Sequence, residues 1–178
     1  SKLDAYHDSG IKGFTIPLLK EIINRIKKIS TVYVSSEGKP DEFLKKYELK
    51  INPVEMQQVL ANASMLISDS QSMTMEAAML GVPSIRFSDF AGKISVLEEL
   101  EHRYSLTFGI PASSSEKLFD KIDELLDFPD LEREFQKRRE LMLQDKIDVT
   151  AFLVWFIENF PESAEIMKGN PDYQERFR

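Results

Sequence analysis

The stretch 66–83 contains the residues of this chain that are best suited to chemistry. Apolar residues at 64–68 predict a strand, the polar residues 69–72 predict a turn, and Met73–Leu80 predicts a helix that ends at Gly81. A strand that turns directly into a helix aims several unpaired backbone N–H groups, and the positive end of the helix dipole, at one point. We therefore predict an anion-binding site at the start of this helix.

Three polar side chains in this stretch have complementary roles toward a nucleotide. Ser70 and Ser72 can donate hydroxyl hydrogen bonds to phosphate oxygens. Glu76 lies one turn into the helix, too far along it to be a cap, and a half-buried carboxylate there suits the two hydroxyls of a ribose. In an open parallel sheet this point also lies beyond the carboxyl ends of the strands, where such folds bind ligands. The alternative is an ordinary helix cap followed by a solvated glutamate.

Two further groups of residues are candidates for the same cleft. The loop before the first helix contains Gly10 and Gly13, which would let the backbone pass close to a ligand, and His7 or Lys12 could face the cleft. Arg86 could reach a phosphate from the end of its strand. The alternatives are a loop that needs glycine only for its own turn, and an arginine in a surface ion pair.

Composition argues against several other kinds of site. The chain has no cysteine, its two histidines do not stand in a paired metal-binding spacing, and no Asp-x-Asp motif occurs. We therefore predict no metal and no cofactor, with the helix dipole and hydrogen-bond donors stabilising the anion instead. A formal net charge of -7 opposes a broad nucleic-acid-binding face.

The chain also lacks the patterns of secretion and membrane insertion. Its first residues do not form a secretory signal, and the longest apolar run, 151–157, is far shorter than a membrane helix. We expect a cytoplasmic protein without a membrane span. Because the sequence starts without Met and within a segment that reads as ordered, we expect it to be a fragment of a longer protein.

Hydrophobic periodicity predicts strands that alternate with helices along the chain. Helical spacing predicts helices at 14–29, 41–47, 52–62, 73–80, 94–104, 117–126 and 129–144, and β-branched or apolar runs predict strands at 31–35, 64–68, 82–87 and 106–108. Alternating βα units build a parallel sheet that is covered on both faces. We therefore predict an α/β fold with a Rossmann-like parallel sheet, helices on both faces, and further helices at the carboxyl end.

The same stretch carries a resemblance to known families. The segment Asp69–Ala77, with Leu-Gly-Val-Pro at 80–83, resembles the Asp-Ser-Gly-Gly…Glu-Glu-Ala…Leu-Gly-x-Pro segment of the non-hydrolysing UDP-N-acetylglucosamine 2-epimerases. It is similar, less closely, to the corresponding segment of GT-B glycosyltransferases. Over most of residues 3–126, the chain most resembles the carboxy-terminal half of an uncharacterised prokaryotic glycosyltransferase-like family.

This resemblance implies roles for individual residues. In these families the serine and neighbouring amides hold the diphosphate and the second Glu holds the ribose. The diphosphate-binding residues that this implies are Ser70, Gln71, Ser72 and Thr74, and the ribose-binding residue is Glu76. Gln71 and Ser72 stand where the families have two glycines, which would bring the backbone closer to the ligand.

The resemblance also implies a function. We expect the donor-binding domain of a metal-independent, GT-B-type glycosyltransferase that uses a nucleoside-diphosphate sugar, with UDP as the first candidate nucleotide. The catalytic base would lie on a missing amino-terminal domain, so this fragment would bind without turnover. The alternatives are half of a nucleotide-sugar 2-epimerase-like enzyme, and a non-catalytic flavodoxin-like interaction domain in which the motif is only a turn.

We predict that the chain has two parts. Residues 1–128 would form the Rossmann-like nucleotide-sugar-binding domain, and residues 129–178 a helical extension that packs on it or on the missing domain. Val149–Phe160 is apolar nearly all round, which is typical of a buried core helix. If its partner is missing the helix would be exposed, and we then expect the chain to form homo-oligomers through its C-terminal helices.

Overall fold

A three-stranded parallel sheet forms the middle layer of the protein, whose computed structural model describes residues 13–36 and 41–178. The strands are β1 (Leu66–Ser68), β2 (Ser84–Phe87) and β3 (Thr107–Ile110), and they lie side by side in that order. Both pairs are parallel, and Arg86 of β2 lies in register with Ser68 on one side and Gly109 on the other. The predicted parallel α/β arrangement is therefore confirmed for the described residues.

Eight α-helices occur in the described part of the chain. They are α1 (Ile16–Ile26), α2 (Met56–Ala61), α3 (Gln71–Leu80), α4 (Ser95–His102), α5 (Ser115–Leu126), α6 (Leu131–Asp145), α7 (Val149–Glu158) and α8 (Glu162–Gly169). Shorter 3₁₀ turns lie at Leu44–Tyr47, Pro53–Glu55 and Pro171–Phe177. A helix separates each strand from the next, as the crossover between neighbouring parallel strands requires.

Strand β2 is buried along its whole length because helices cover both of its faces. Its side chains alternate, so that Phe87 packs against Phe14 beside α1, with ring centroids 5.2 Å apart. On the other face the Ser84 hydroxyl donates to the Thr74 carbonyl of α3 at 3.5 Å, and Arg86 points to α4. The sheet therefore separates α1 and α5 from α3 and α4.

Helix α6, predicted as the start of the C-terminal extension, packs on the α/β unit. Phe135 is fully buried in its core, and Met142 is nearly so. The Gln136 amide donates to the Leu80 carbonyl at 3.0 Å, and the Arg138 guanidinium donates to the Ser105 carbonyl at 2.9 Å. Because these carbonyls precede β2 and β3, α6 closes the amino-terminal edge of the sheet.

The strand predicted at 31–35 does not join the sheet. Only one isolated bridge forms there, in which the Val34 N–H donates to the Tyr47 carbonyl at 2.7 Å and the Leu49 N–H donates to the Val34 carbonyl at 2.8 Å. Tyr33 is 66% exposed. The β-branched residues favour an extended backbone, but a strand also needs a hydrogen-bonded partner along its length. The segment 47–49 pairs with it at a single position only.

Of the two alternatives for Val149–Phe160, a buried core helix is contradicted, because no residue of α7 is buried. The exposure of this helix agrees with the second alternative. One face of α7 packs on the last turn of the chain, where Trp155 stacks on Tyr173 at 4.8 Å and Phe152 meets the edge of Phe177 at 5.7 Å. The residues exposed on its other side, and just beyond it, are Val149, Leu153, Val154, Ile157 and Phe160. Oligomer formation through this surface stays a prediction.

No helix in the described ranges 13–36 and 41–178 combines the length and the apolar character that crossing a membrane requires.

Gly81 ends α3 in a conformation that few other residues adopt. Its backbone φ is 73°, and an added Cβ would lie 2.6 Å from the Gln136 amide nitrogen. We expect Gly81→Ala to lower the free energy of unfolding by about 2 kcal/mol, because left-handed strain adds to the displacement of the Gln136 amide from the Leu80 carbonyl. Urea denaturation measures this loss.

Gly92→Ala is the matched control for Gly81→Ala. Gly92 has a similar φ of 81°, but nothing lies within 4 Å of an added Cβ. Its loss should be limited to the left-handed strain, about 1 kcal/mol. Equal losses of stability in the two variants would show that the contact between the added Cβ and Gln136 has no effect.

Candidate functional site

The turn between β1 and α3, residues 69 and 70, is built by serine side chains. The Ser68 hydroxyl accepts the Ser70 N–H at 3.0 Å, and the Ser70 hydroxyl accepts the Met73 N–H at 3.4 Å. Ser70 has an extended backbone, and its carbonyl already accepts the first helical hydrogen bonds, so it is the N-cap of α3. The helix therefore begins at Gln71, earlier than the predicted start at Met73.

Neutral hydrogen-bond donors collect at the start of α3. The hydroxyl oxygens of Ser70 and Ser72 are 3.2 Å apart, and Ser72 is exposed. The N–H groups of Gln71 and Ser72 belong to the first turn, so they have no partner within the helix. The helix dipole places positive potential at the same point. This arrangement can hold an anion without a cationic side chain.

Thr74 lies beneath this point rather than at it. Its side chain is fully buried, and its hydroxyl donates to the Ser70 carbonyl at 2.7 Å. The hydroxyl is thus used within the first turn of α3, on the face that packs against the sheet. The prediction that Thr74 contacts a diphosphate needs correction, because its side chain braces the helix start instead.

Gln71 can offer its backbone N–H to a ligand, whereas its side chain is already used within the turn. The side-chain amide donates to the Asp69 carbonyl at 3.1 Å, which folds it back over the turn. Its Oε1 atom is buried without a hydrogen-bond partner among the described residues. The resemblance implied amides near this position, and the Gln71 N–H remains at the start of the helix.

Glu76 lies one turn along α3 from Ser72, on the same side of the helix. Positions four apart on a helix have Cβ atoms about 5–6 Å from each other. Glu76 is half-buried, next to the exposed Met75, and no ion pair to it occurs in the described part of the chain. The Glu76 side chain therefore starts about one helical turn from Ser72, on the same side of α3.

Gly13 is brought next to this turn from a distant part of the chain. A Cβ at Gly13 would lie 2.8 Å from the Asp69 carboxylate oxygen and 3.2 Å from the Asp69 Cβ. Gly13 therefore approaches the Asp69 side chain closely, and its predicted approach to a ligand stays a prediction. The other three predicted cleft residues of this loop, His7, Gly10 and Lys12, lie outside the described residues.

Arg86 is enclosed in the core and is not a surface ion pair. Its side chain is fully buried, its Nη2 donates to Glu98 Oε1 at 3.0 Å, and Glu101 Oε2 lies 3.8 Å away. Its Nε and Nη1 have no hydrogen-bond partner among the described residues. The predicted role toward a phosphate in the cleft needs correction, because α4 covers the side chain of this central strand.

Glu98 and Glu101 are the residues that the sequence analysis missed. Both come from α4, and their spacing of three places them on one helix face, above Arg86. Glu98 also accepts the Gly92 N–H at 3.0 Å and lies 3.1 Å from the His102 ring nitrogen. The signal that could have revealed them is an arginine within an otherwise buried strand, since such a charge requires acidic partners.

The environments of the two carboxylates shift their pKa values in opposite directions. Burial raises the pKa of Glu101, although the Gly109 N–H and Arg86 partly oppose the rise. Burial also acts to raise the pKa of Glu98, but hydrogen bonds, chiefly those from Arg86 and His102, outweigh it and leave the pKa below its usual value. Glu98 is therefore the carboxylate that holds the Arg86 charge most effectively.

The two carboxylates should affect stability oppositely as the pH changes. The lowered pKa of Glu98 means that its contribution exists above its unfolded pKa and is lost as the pH falls through the folded value. The raised pKa of Glu101 means that its protonated form favours the fold, and this contribution is lost as the pH rises through the folded value. At pH 7 we expect Glu98→Gln to be less stable than the parent, and this stability deficit should shrink as the pH falls to about 3.5. Over the same fall in pH, Glu101→Gln should lose stability relative to the parent.

Urea denaturation of both variants and the parent at the two pH values measures this difference. The same pH trend in both variants would contradict the assignment of opposite pKa shifts.

The N-cap of α3 can be tested separately from any ligand. Ser70→Ala removes the acceptor of the Met73 N–H and should lower the free energy of unfolding by about 1 kcal/mol. Ser114, which precedes α5, makes no side-chain cap hydrogen bond, so Ser114→Ala should change stability by less than about 0.5 kcal/mol. Urea denaturation of the two variants measures the difference, and equal losses would show that the Ser70 cap is not formed in solution.

Among residues 13–36 and 41–178, no group of three or more His, Asp or Glu side chains is placed to hold a metal ion. Comparison of the chain with protein-family models, with curated proteins and with solved structures finds no match.

Proposed function

We propose that the start of α3 binds the diphosphate of a nucleoside-diphosphate sugar and that Glu76 binds its ribose. The domain would then be the donor-binding half of a metal-independent, GT-B-type glycosyltransferase. The observation that supports this proposal is the pair of serine hydroxyls, 3.2 Å apart at a helix N-terminus, with the half-buried Glu76 one turn further on. The resemblance of the segment Asp69–Ala77 to nucleotide-sugar enzymes points to the same ligand.

The chemistry of the donors suits a leaving diphosphate. When the sugar is transferred, the bond between the anomeric carbon and a phosphate oxygen breaks, and negative charge grows on the diphosphate. Fixed N–H groups and hydroxyls at a helix start stabilise that charge without reorganising. The Ser70 and Ser72 hydroxyls and the first N–H groups of α3 would supply this stabilisation, so a divalent cation is not needed.

Glu76 gives the site its preference for a ribonucleotide. An ionised carboxylate can accept hydrogen bonds from both ribose hydroxyls at once, and each charge-assisted bond is stronger than a neutral one. A 2′-deoxyribose offers one of these two donors. Removing the negative charge of Glu76 should therefore weaken the binding of a ribonucleotide more than the binding of a deoxyribonucleotide.

Isothermal titration calorimetry with UDP, GDP, CDP and dTDP tests the proposal. We expect at least one ribonucleoside diphosphate to bind. Glu76→Gln should lower its affinity about 10-fold to 100-fold, which is the loss expected when hydrogen bonds to a charged group are removed. Comparing UDP with 2′-deoxy-UDP on both proteins isolates the ribose, and the variant should reduce the difference between these ligands.

Glu116→Gln is the matched control, because Glu116 is exposed in the first turn of α5. It should leave the affinity unchanged. Absence of binding by every nucleoside diphosphate, in a protein that also contains an amino-terminal domain, would overturn the proposal in favour of a non-catalytic flavodoxin-like domain. Binding that is insensitive to Glu76→Gln would overturn the role of that residue.

The reaction class is tested on a protein that carries both domains. A glycosyltransferase needs an acceptor, whereas a nucleotide-sugar 2-epimerase inverts the sugar without one. Formation of an isomerised sugar in the absence of any acceptor would favour the epimerase alternative. Under our proposal the catalytic base belongs to the amino-terminal domain. The present chain therefore binds the donor at the near-neutral pH of the cytoplasm but does not catalyse its reaction.

A further inference from the structure

A basic groove lies far along the chain from the start of α3. It has a volume of about 360 Å³, and its walls include Lys27, Thr31, Tyr33, Lys46, Tyr47 and Glu48. One wall is the end of α1 and the segment after it, and the other is the 3₁₀ turn Leu44–Tyr47. The backbone bridge between Val34 and Glu48 joins the two walls, which gives the groove a defined shape.

The charge of this surface is opposite to that of the whole chain. Segments 26–36 and 41–50 contain five lysines and three acidic residues, whereas the chain has a formal net charge of -7. Lys45 pairs with Glu42 and Asp41 pairs with Lys20, so four lysines remain against Glu48. Lys46 lies over the rings of Phe43 and Tyr47, at 4.5 and 4.9 Å from their centroids. Because its partners are uncharged rings, the positive charge of Lys46 is not neutralised there.

Lys27 is also held by a neutral partner. Its ammonium donates to the Asn24 side-chain carbonyl at 2.6 Å. Lys27 and Lys28 follow α1 directly, where cations complement the helix dipole, so a purely structural role accounts for these two lysines. That role does not extend to Lys46 and Lys50, which come from a different segment and contribute to the same excess of positive charge.

Large apolar side chains stand exposed among these lysines. Ile29 and Tyr33 are each 66% exposed, and both belong to the segment that forms one wall of the groove. Tyrosine has an apolar ring and a polar hydroxyl, a combination that suits the boundary between water and lipid. An exposed isoleucine and tyrosine in a lysine-bearing segment form the composition of a surface that meets anionic headgroups and the outermost acyl carbons.

We propose that this surface, with Lys27, Ile29, Tyr33 and Lys46 at its centre, docks the protein on an anionic lipid surface. The lysines face lipid phosphates, and Ile29 and Tyr33 enter the interface between headgroups and acyl chains. Charge complementarity selects this occupant, because the four lysines not paired within the surface favour an anionic layer over a zwitterionic one. The acidic remainder of the chain orients the groove toward the membrane. The attachment is reversible and peripheral.

Vesicle co-sedimentation tests the proposal. We expect the protein to bind vesicles in which about one-third of the phosphatidylcholine is replaced by phosphatidylglycerol, not to bind phosphatidylcholine alone, and to dissociate as salt is raised. The double variant Lys27→Glu/Lys46→Glu should lower the partition coefficient at least about tenfold. Ile29→Ser/Tyr33→Ser should lower it at unchanged net charge. Circular dichroism confirms that each variant is folded.

Two controls make the outcome specific. Lys117 and Lys137 are exposed lysines on α5 and α6, and Lys117→Glu/Lys137→Glu should bind vesicles like the parent. The exposed apolar side of α7 is the competing membrane surface, so Ile157→Ser is compared as well. The proposal is overturned if the protein does not bind anionic vesicles, or if it binds free inorganic phosphate in place of vesicles. It is also overturned if both charge-reversal variants lose vesicle binding equally, or if only Ile157→Ser loses it.

Discussion

Replacing Arg86 with methionine is expected to lower the free energy of unfolding by about 3–5 kcal/mol. Arg86 is fully buried and makes an ion pair with Glu98, while Glu101 lies within 4 Å. Removing the guanidinium leaves two partly buried carboxylates close together without their shared cation. The loss comes mainly from these uncompensated charges, because methionine fills much of the volume of arginine with apolar atoms.

Urea denaturation at neutral pH measures this loss, and two further variants identify its cause. Arg133→Met changes an exposed arginine in the first turn of α6 and should alter stability by less than about 0.5 kcal/mol. The triple variant Arg86→Met/Glu98→Gln/Glu101→Gln removes the stranded charges and should recover part of the stability. A change below about 1 kcal/mol for Arg86→Met, or no recovery in the triple variant, would contradict the buried ionic cluster.

Phe135→Ala is expected to lower the free energy of unfolding by about 3–5 kcal/mol. Phe135 lies on α6, is fully buried, and its ring meets the edge of Phe108 on β3 with centroids 6.3 Å apart. Truncation to alanine removes the burial of a large ring and leaves a cavity between the helix and the sheet. Thermal or urea denaturation, with the loss of near-ultraviolet signal as a second probe, measures the effect.

Leu141→Ala on the same helix is the control, because Leu141 is 60% exposed. Its loss should stay below about 1 kcal/mol. The contrast tests whether α6 belongs to the α/β unit, although it lies beyond residue 128, where the sequence predicted the domain to end. If Phe135→Ala cost no more than Leu141→Ala, α6 would be part of a separate extension.

The parallel arrangement and the start of α3 were both accessible from the sequence. Serine before an amphipathic run signals an N-cap, and Ser70 is the cap of α3, although the helix starts at Gln71. Gly81 ends the same helix in the left-handed conformation that glycine adopts most easily. These signals are local, because the residues that form a cap or a turn are only a few positions apart along the chain.

The accessibility of individual side chains was much harder to predict. Thr74 and Ser72 are both hydroxyl residues in the first turn of α3, but Thr74 faces the sheet and Ser72 faces solvent. Arg86 carries a charge that favours exposure, and its burial depends on two glutamates from α4. The aromatic residues of α7 suggested a core, but the described chain covers only one side of that helix.

The sequence by itself determined the approximate positions of most helices, the βα alternation from residue 64 onward, and the placement of serines and Glu76 around one helix start. Only the tertiary structure decided that Arg86 is enclosed, that Gly13 lies against Asp69, and that α6 completes the core. The physical reason is that backbone preferences act over a few neighbouring residues. Burial and charge pairing instead depend on which faces of distant segments meet, and local composition does not specify that.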